Sequence, residues 1–389
     1  MEIFDVDVCI AGSGPAGTIV ARQLAQAGLS VTLIDRPAHK THKFGETLPS
    51  AAIRLLNKLG LISLTAKLKT ENQFSNTTYS EHVGGNMTFW GSNILSTTDY
   101  IHDPYGFGLR INRKNFDELL RKEALLSGAR FYPSDVVALE KHNGVWRIRL
   151  EDGKTIHSKW IVDATGRSAK LIKLLGVERY RGVPLVALYR TCTPQKNVKL
   201  NRTIISASQN GWVYTGKIND HQWVIGYHTT PKTATQFHHD NKQWEHLISK
   251  NVGLYDLLGN LEFGKDIFSH DVRSSWLEQP IGNGWVACGD ALLAFDPIAG
   301  QGLFNALYTG MKAAEAILAA EHNENNHRNY TTEINKIIGG VSKCMLIILT
   351  SLYKTVVNVK ESKIKSFYMI QYLLRKTACS SYCSPYAVS

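Results

Sequence analysis

Short apolar runs and amphipathic segments alternate along most of the chain. Val6, Val8, Cys9, Ile10 and Ala11 form an apolar run of the length a buried parallel strand takes. The alanine-rich segment Thr18–Ala27 has helical character, Gly28 stops it, and Ser30–Ile34 reads as a second strand ending in Asp35. Pro49 opens a helix over Ala51–Leu59. Within Arg113–Gly128, Phe116, Leu119, Leu120 and Ala124 recur at helical spacing and give that helix one apolar face. Glu71–Asn93 is polar and glycine-rich and closes on Phe89, Trp90 and Gly91, which predicts strands and loops, and Pro104–Leu109 predicts a turn. Ala129–Asp152 reads as alternating strands around a turn at Gly144, and Ile156–Asp163 as an apolar strand. Val183–Thr229 carries recurrent Val, Ile, Trp and Tyr, a β pattern with a hairpin signal at Asn219 and Asp220. Gln236–Leu258 reads as helix, Trp285–Asp290 as another buried strand, Leu303–Ala320 as a long helix, and the remainder as helical and basic. Strands and helices in this alternation predict an α/β fold.

The first strand is followed by Gly12, Gly14 and Gly17 in G-x-G-x-x-G spacing, within the stretch Gly12, Ser13, Gly14, Pro15, Ala16, Gly17. Each glycine has a mechanical reason. Gly12 allows the tight turn, Gly14 lets backbone approach a pyrophosphate, and Gly17 lets the helix pack close to the strand. The helix then presents free N–H groups and a partial positive charge to phosphates. Asp35, followed by Arg36 at the tip of the second strand, offers a carboxylate to a ribose diol. Strand, glycines, helix, strand and acid in this order define a dinucleotide site. Its domain is expected in three pieces, residues 1–75, 100–182 and 270–325, interleaved with an antiparallel-sheet substrate domain at 76–99 and 183–269. A basic helical C-terminal extension is expected over 326–389.

Composition narrows the class. Of 389 residues, 43% are hydrophobic and 20% charged, the balance of a globular protein with ample core. The acidic start leads straight into a strand, with no secretory pattern, and the apolar run Cys344–Tyr353 is too short to span a bilayer. Cys9, Cys192, Cys288, Cys344, Cys379 and Cys383 lack zinc spacing, so no metal is expected. They read as reduced thiols of a cytoplasmic chain, although Cys379 and Cys383 leave a redox pair conceivable. Of the net charge of +11, residues 333–389 hold +6, from eight Lys and Arg against two Glu. That segment suits an acidic protein or a membrane surface, and equally a solvated helix face. Nucleic acid is not expected as a partner.

Three motifs recur in order: GSGPAG at Gly12–Gly17, IVDATGR at Ile161–Arg167 and GDALLAFDPIAGQGLFNAL at Gly289–Leu307. Together they resemble the FAD-dependent monooxygenase superfamily, the group that shares the para-hydroxybenzoate hydroxylase fold, over about the first 320 residues. The implied fold is a Rossmann-like FAD-binding domain interleaved with an antiparallel substrate sheet. GETLPS at Gly45–Ser50, WGS at Trp90–Ser92, PYGFGLRINRKNFDELL at Pro104–Leu120 and GWVYTG at Gly211–Gly216 resemble the branch of flavin-dependent halogenases and their monooxygenase relatives. That branch includes maturation flavoproteins that hydroxylate a tryptophan in quinone-cofactor oxidases.

The resemblance assigns FAD to Gly12, Ser13, Gly14, Pro15, Ala16, Gly17, Asp35, Arg36 and Glu46. It adds Arg113, Asp163, Gly166, Asp290, Pro297, Gly300, Gln301, Gly302 and Leu303. Asp290 ends a strand and can hold ribityl or ribose hydroxyls, while the helix start after Gly300, Gln301 and Gly302 can stabilise a reduced flavin ring. In Asp163–Gly166, Ala164 and Thr165 separate acid from glycine, a departure that leaves open whether NAD(P)H acts directly or a separate reductase supplies reduced flavin. His82, Asp296 and Pro297 are candidates for catalysis, and Trp90, Trp212, Tyr214 and Phe295 for a substrate pocket.

Halogenases of this branch carry a lysine before a glycine-rich strand and a W-x-W-x-I-P signature. Here His82 falls near the lysine position, and the signature reduces to Trp212, Val213 and Tyr214. These departures favour monooxygenation: hydroxylation of an indole or phenol through a flavin C4a-hydroperoxide. The substrate is expected either free or carried by a partner, such as a tryptophan-bearing or carrier protein. A flavin halogenase, a geranylgeranyl-reductase-like oxidoreductase and a non-catalytic, partner-binding flavoprotein remain alternatives.

Overall fold

The computed structural model describes residues 3–36, 44–45, 47–64, 66, 82–90, 94–100, 106–196, 198–208, 210–219, 221–237, 241–321, 329–332 and 334–336. Its first sheet is built around Ile3–Ala11, which runs parallel to Thr155–Asp163 on one side and Val31–Asp35 on the other. Arg130–Pro133 extends it beyond Val31–Asp35, and Trp285–Ala287 beyond Thr155–Asp163, both again parallel. Val8, Ile10, Leu33 and Val162 are fully buried, the run-on apolar pattern of strands covered on both faces. The strand ends Ala11, Asp35, Asp163 and Ala287 therefore line up along one carboxyl edge. Open parallel sheets bind their ligands at that edge.

The first helix, Pro15–Gln26, starts three residues before the expected Thr18, because proline fits the first turn, where its missing N–H is no loss. It packs on the long helix Gly302–Glu321. A Cβ on Gly310 would lie 2.6 Å from the Ala16 carbonyl oxygen, and one on Gly289 would lie 2.9 Å from the Ala16 Cβ. Ala16 is thus held between two glycines, and the start of the first helix is brought against Gly289 and Asp290.

Two sequence expectations shift in detail. The strand expected over Trp285–Asp290 stops at Ala287, and Gly289–Ala291 forms a 3-10 turn. The Gly289 N–H, at φ +60°, donates to Thr309 Oγ1 (2.8 Å) in the long helix instead of to a ladder. The helix expected over Gln236–Leu258 breaks into Asn241–Ser249 and Val252–Leu258. Asn251 causes the break: its Oδ1 caps the Leu254 N–H (3.3 Å) while its Nδ2 donates to Ser206 Oγ (2.5 Å).

A second sheet of seven strands runs in the order Leu261–Asp271, Val186–Pro194, Trp223–Thr229, Gly211–Lys217, Arg202–Ser208, Gly85–Phe89 and Leu95–Asp99. All its pairings are antiparallel except Arg202–Ser208 with Gly85–Phe89. One face, with Val213, Trp223, Ile225 and Tyr227, packs against Trp244, Leu247 and Leu254 of the two helices. The other face presents Tyr189, Trp212, Tyr214, Gly216, Gly226 and His228. Phe44 reaches that face and stacks on Tyr189, ring centroids 4.2 Å apart. A small sheet with Gly108–Arg110 between Thr47–Leu48 and His82–Val83 lies between the two halves. The α/β expectation, a parallel FAD-type sheet interleaved with an antiparallel one, describes the molecule.

Residues 329–332 and 334–336 are helical, and the Tyr330 hydroxyl donates to the Ala287 carbonyl (2.7 Å). The remainder of the expected basic extension, residues 337–389, lies outside the described residues. No helix among the described residues is long and apolar enough to cross a membrane.

Candidate active site

The glycine loop is held by its own strand tips. The Gly12 N–H donates to the Ile34 carbonyl (2.7 Å), and the Ser13 N–H and Oγ both donate to Asp35 Oδ2 (2.8 Å each). Among the described residues Asp35 Oδ1 accepts the Arg36 N–H alone (2.9 Å), which leaves lone pairs for a diol beyond the strand tip. Gly12 has φ +104°, and a Cβ there would lie 2.2 Å from the Ala164 carbonyl oxygen. A Cβ on Gly17 would lie 2.0 Å from the Gly12 oxygen, whereas among the described residues beyond its chain neighbours no atom lies within 4 Å of the place where a Gly14 Cβ would stand. Gly12 and Gly17 are closed against the protein, and Gly14 opens outward beside the uncapped start of the first helix. This geometry fits a pyrophosphate on the helix N–H groups.

A second opening of the same kind lies at the start of the long helix. Asp296 precedes the 3-10 turn Pro297–Ala299, and its Oδ1 accepts the Ile298 N–H (3.0 Å). Gly300 follows at φ +63°, and among the described residues beyond their chain neighbours no atom lies within 4 Å of the Cβ position of Gly300 or Gly302. One turn on, Asn305 is buried and its Nδ2 has no partner among the described residues. A buried amide donor without a partner among the described residues, one turn from the helix start, suits a flavin carbonyl. With the glycine loop it makes the groove a fit for FAD, whose binding the family supports.

Three arginines tie the motifs together. Arg167 donates from Nη1 to the Arg273 carbonyl (2.7 Å) and from Nη2 to the Phe295 carbonyl (2.8 Å), with Nε 3.5 Å from Asp290 Oδ2. Arg179 donates to the carbonyls of Arg167 (2.7 Å) and Asp290 (2.5 Å). Arg113 donates to the Phe44 carbonyl (3.0 Å) and pairs with Asp117 (3.4 Å). Arg113 is therefore placed by Phe44 and Gly45, with its Nε unpartnered among the described residues. Glu46 lies outside the described residues.

Two of the expected site residues stand apart from the others. Asp163 is 1% exposed, its Oδ1 accepting the Thr165 N–H (2.9 Å) and hydroxyl (2.7 Å) and its Oδ2 the Ile172 N–H (2.9 Å). Those donors come from the chain itself and tie Asp163 to the turn at Gly166. His82 is exposed, 5.7 Å from the Phe107 ring. Its register opposite Leu109 puts it on the face away from Arg110 and the aromatic side of the large sheet.

The aromatic candidates divide. Trp212 stacks on His228 at 3.6 Å and 2°, and Tyr189 Oη lies 3.2 Å from His228 Nε2. Full burial lowers the His228 pKa to about 3, so the imidazole in the stack is neutral. Tyr214 lies beside Tyr189 and Phe44 on the same face, and the Trp90 indole N–H is buried without a partner among the described residues. Phe295 packs at the margin of the first core.

Burial raises the Asp296 carboxyl to about 6, against the opposing pull of the Ile298 N–H and Arg167. Between the ordinary 3.8 and about 6 the folded chain keeps a proton that the unfolded chain sheds, so this group's stability contribution is lost as pH rises through 6. Asp296→Asn keeps the oxygen that caps Ile298 and removes the titration. Denaturant unfolding between pH 4 and 7 is expected to show the variant gaining stability over the parent as pH rises. Parallel curves would contradict the assignment.

A helix-borne phosphate cradle and a second glycine-lined helix start meeting at one sheet edge define an FAD-dependent flavoenzyme. The chain belongs to the FAD binding domain family, whose model matches residues 5–339, and within it to the halogenase-like branch of the FAD-dependent monooxygenase superfamily. It is 23% identical over 321 residues to LodB of Marinomonas mediterranea, named as an FAD-dependent oxidoreductase, covering 80% of this chain and 85% of that protein. A brominase of 1H-pyrrole-2-carbonyl groups on a peptidyl-carrier protein, from Pseudoalteromonas luteoviolacea, is 26% identical over 348 residues, 82% of this chain and 79% of that one. Among solved structures, the flavin-dependent halogenase CmlS superposes with a TM-score of 0.78 at 21% identity, over 97% of this chain and 70% of that one.

Proposed function

We propose that the chain is a flavin-dependent halogenase acting on an electron-rich aromatic ring. The observation that carries this reading is the aromatic face of the seven-stranded sheet, Trp212, Tyr214 and Tyr189, lying against Phe44 of the coenzyme-binding half. Such a face can hold a planar ring by stacking. The kinship with a pyrrole brominase supports halogenation over the hydroxylation that the sequence favoured.

FAD, when bound and reduced, would supply the electrons that activate dioxygen, and the activated oxygen would be the oxidant. The chain's own residues do the rest. The N–H groups of the first helix hold the diphosphate, Asp290 and Asp35 take hydroxyls, and Asn305 with the turn after Pro297 orients the ring. The packed aromatic face excludes water from the reacting carbon. Asp296 holds or releases a proton near pH 6 beside Pro297.

Oxygen insertion is the second reading, favoured by the place of His82, where the halogenase lysine is expected. Lys217, the lysine of the nearest strand, alternates with Trp212 and Tyr214 and points to the helix-covered face with Val213. The two readings separate in one experiment. The FAD-loaded enzyme would be supplied with NADH, a flavin reductase, bromide, labelled dioxygen and candidate aromatics, and products read by mass. A bromine isotope doublet is expected, label from dioxygen would install the second reading, and neither product alongside reduced-flavin turnover would contradict both. The reductase and an acidic protein docking on the basic 333–389 segment are the partners this reading brings.

A further inference from the structure

Arg110 is a guanidinium buried to 3% exposure at the seam between the two halves of the molecule. It ends the central strand of the small sheet, paired with Thr47. Nη1 donates to Thr47 Oγ1 (3.0 Å), and the group lies against Gly216, where a Cβ would stand 2.8 Å from Nη1 and 3.6 Å from Nη2. Gly216 shares the aromatic face with Trp212 and Tyr214, so the arginine occupies the next position along the surface that receives the substrate ring. Tyr100 is close enough for the Arg110 charge to act on its hydroxyl, which is hydrogen-bonded to Asn86 on the same face.

Nε and Nη2 of Arg110 are both buried and have no partner among the described residues. These two N–H groups form one edge of the guanidinium, the side-on fork that takes the two oxygens of a carboxylate in parallel bonds. No carboxylate of the described residues occupies that edge. A buried arginine left so is costly to the fold, and an anion bound at that edge would offset the cost. We infer that Arg110 anchors the carboxylate of a free aromatic acid, with the ring lying along Tyr214 and Trp212. The inference rests on the aromatic-oxidation reading and deepens it: a free acid is taken, rather than an aryl group esterified to a carrier. A planar two-oxygen anion matches the fork, whereas a halide presents a single atom.

The test uses FAD-loaded protein. Salicylate and indoleacetate, with salicylamide and indoleacetamide as neutral counterparts, would be titrated while the flavin spectrum and heat are recorded, for the parent, Arg110→Gln and Arg110→Lys. The acids are expected to bind the parent at least tenfold tighter than the amides, with the preference lost in R110Q and mostly lost in R110K, which keeps charge without the fork. Both variants are expected to unfold at the parent's temperature or above, and to hold FAD equally well. Equal binding of acid and amide to the parent overturns the inference, as does full competition by bromide at equal concentration. A fall in FAD affinity in R110Q would assign the edge to the coenzyme and also overturn it. Each of these failures leaves the halogenase reading standing, because that reading is judged by product mass alone.

Discussion

Gly12→Ala is expected to abolish FAD binding and lower the stability of the chain. The new methyl would stand 2.2 Å from the Ala164 carbonyl oxygen and 3.0 Å from the Thr165 nitrogen, both backbone atoms that cannot swing away. The residue also holds φ +104°, where a side chain is strained by about 1–3 kcal/mol. Relief requires the first strand to part from Asp163 and Ala164, and the Ala164 N–H bond to the Ala11 carbonyl (2.8 Å) goes with it. Strain, overlap and a lost buried bond together place the cost at about 3 kcal/mol or more. Thermal unfolding of the unloaded protein and FAD titration are both expected to show the loss. A variant that folds and binds like the parent would refute the loop geometry.

Gly14→Val separates coenzyme binding from folding. Here φ is −75°, within reach of any residue, and among the described residues beyond its chain neighbours no atom lies within 4 Å of the Cβ position. The unloaded variant is therefore expected to melt within a degree or two of the parent. The side chain would fill the space in front of the helix N–H groups and hold a phosphate away from them. A weakening on the order of a hundredfold, about 2.7 kcal/mol, is the expected loss in FAD affinity. Equal affinity would place the diphosphate elsewhere.

The coenzyme groove was legible because its parts are local. Gly12, Gly14, Gly17 and Asp35 fall within one strand–helix–strand unit, and their spacing carries the geometry with it. The helix over Arg113–Leu126 and the hairpin around Asn219 were readable for the same reason, the latter because Asn219 Oδ1 accepts the N–H of Gln222 (2.8 Å). The less legible features depend on distant partners. Asp163 carried a local signal, since an acid two residues before Thr165 caps its own turn, but the donor at Ile172 and the depth of burial lie outside any short window. Arg167 and Arg179 tie segments more than a hundred residues apart, and no periodicity announces such pairs. Arg110 reads as an ordinary strand-end residue until the sheet brings Gly216 against it. Asn305 shares a face of its helix with Thr309 and is distinguished only by the unpartnered amide.

Substrate, partners and reaction type all depend on two helix entrances, at Gly14 and at Gly302, serving one coenzyme. Titrating FAD into the purified, unloaded protein and following its fluorescence and heat tests that claim most directly. One equivalent is expected to bind the parent, with affinity lost in Gly14→Val and fold retained. No binding by the parent, in oxidised or reduced form, would contradict the account.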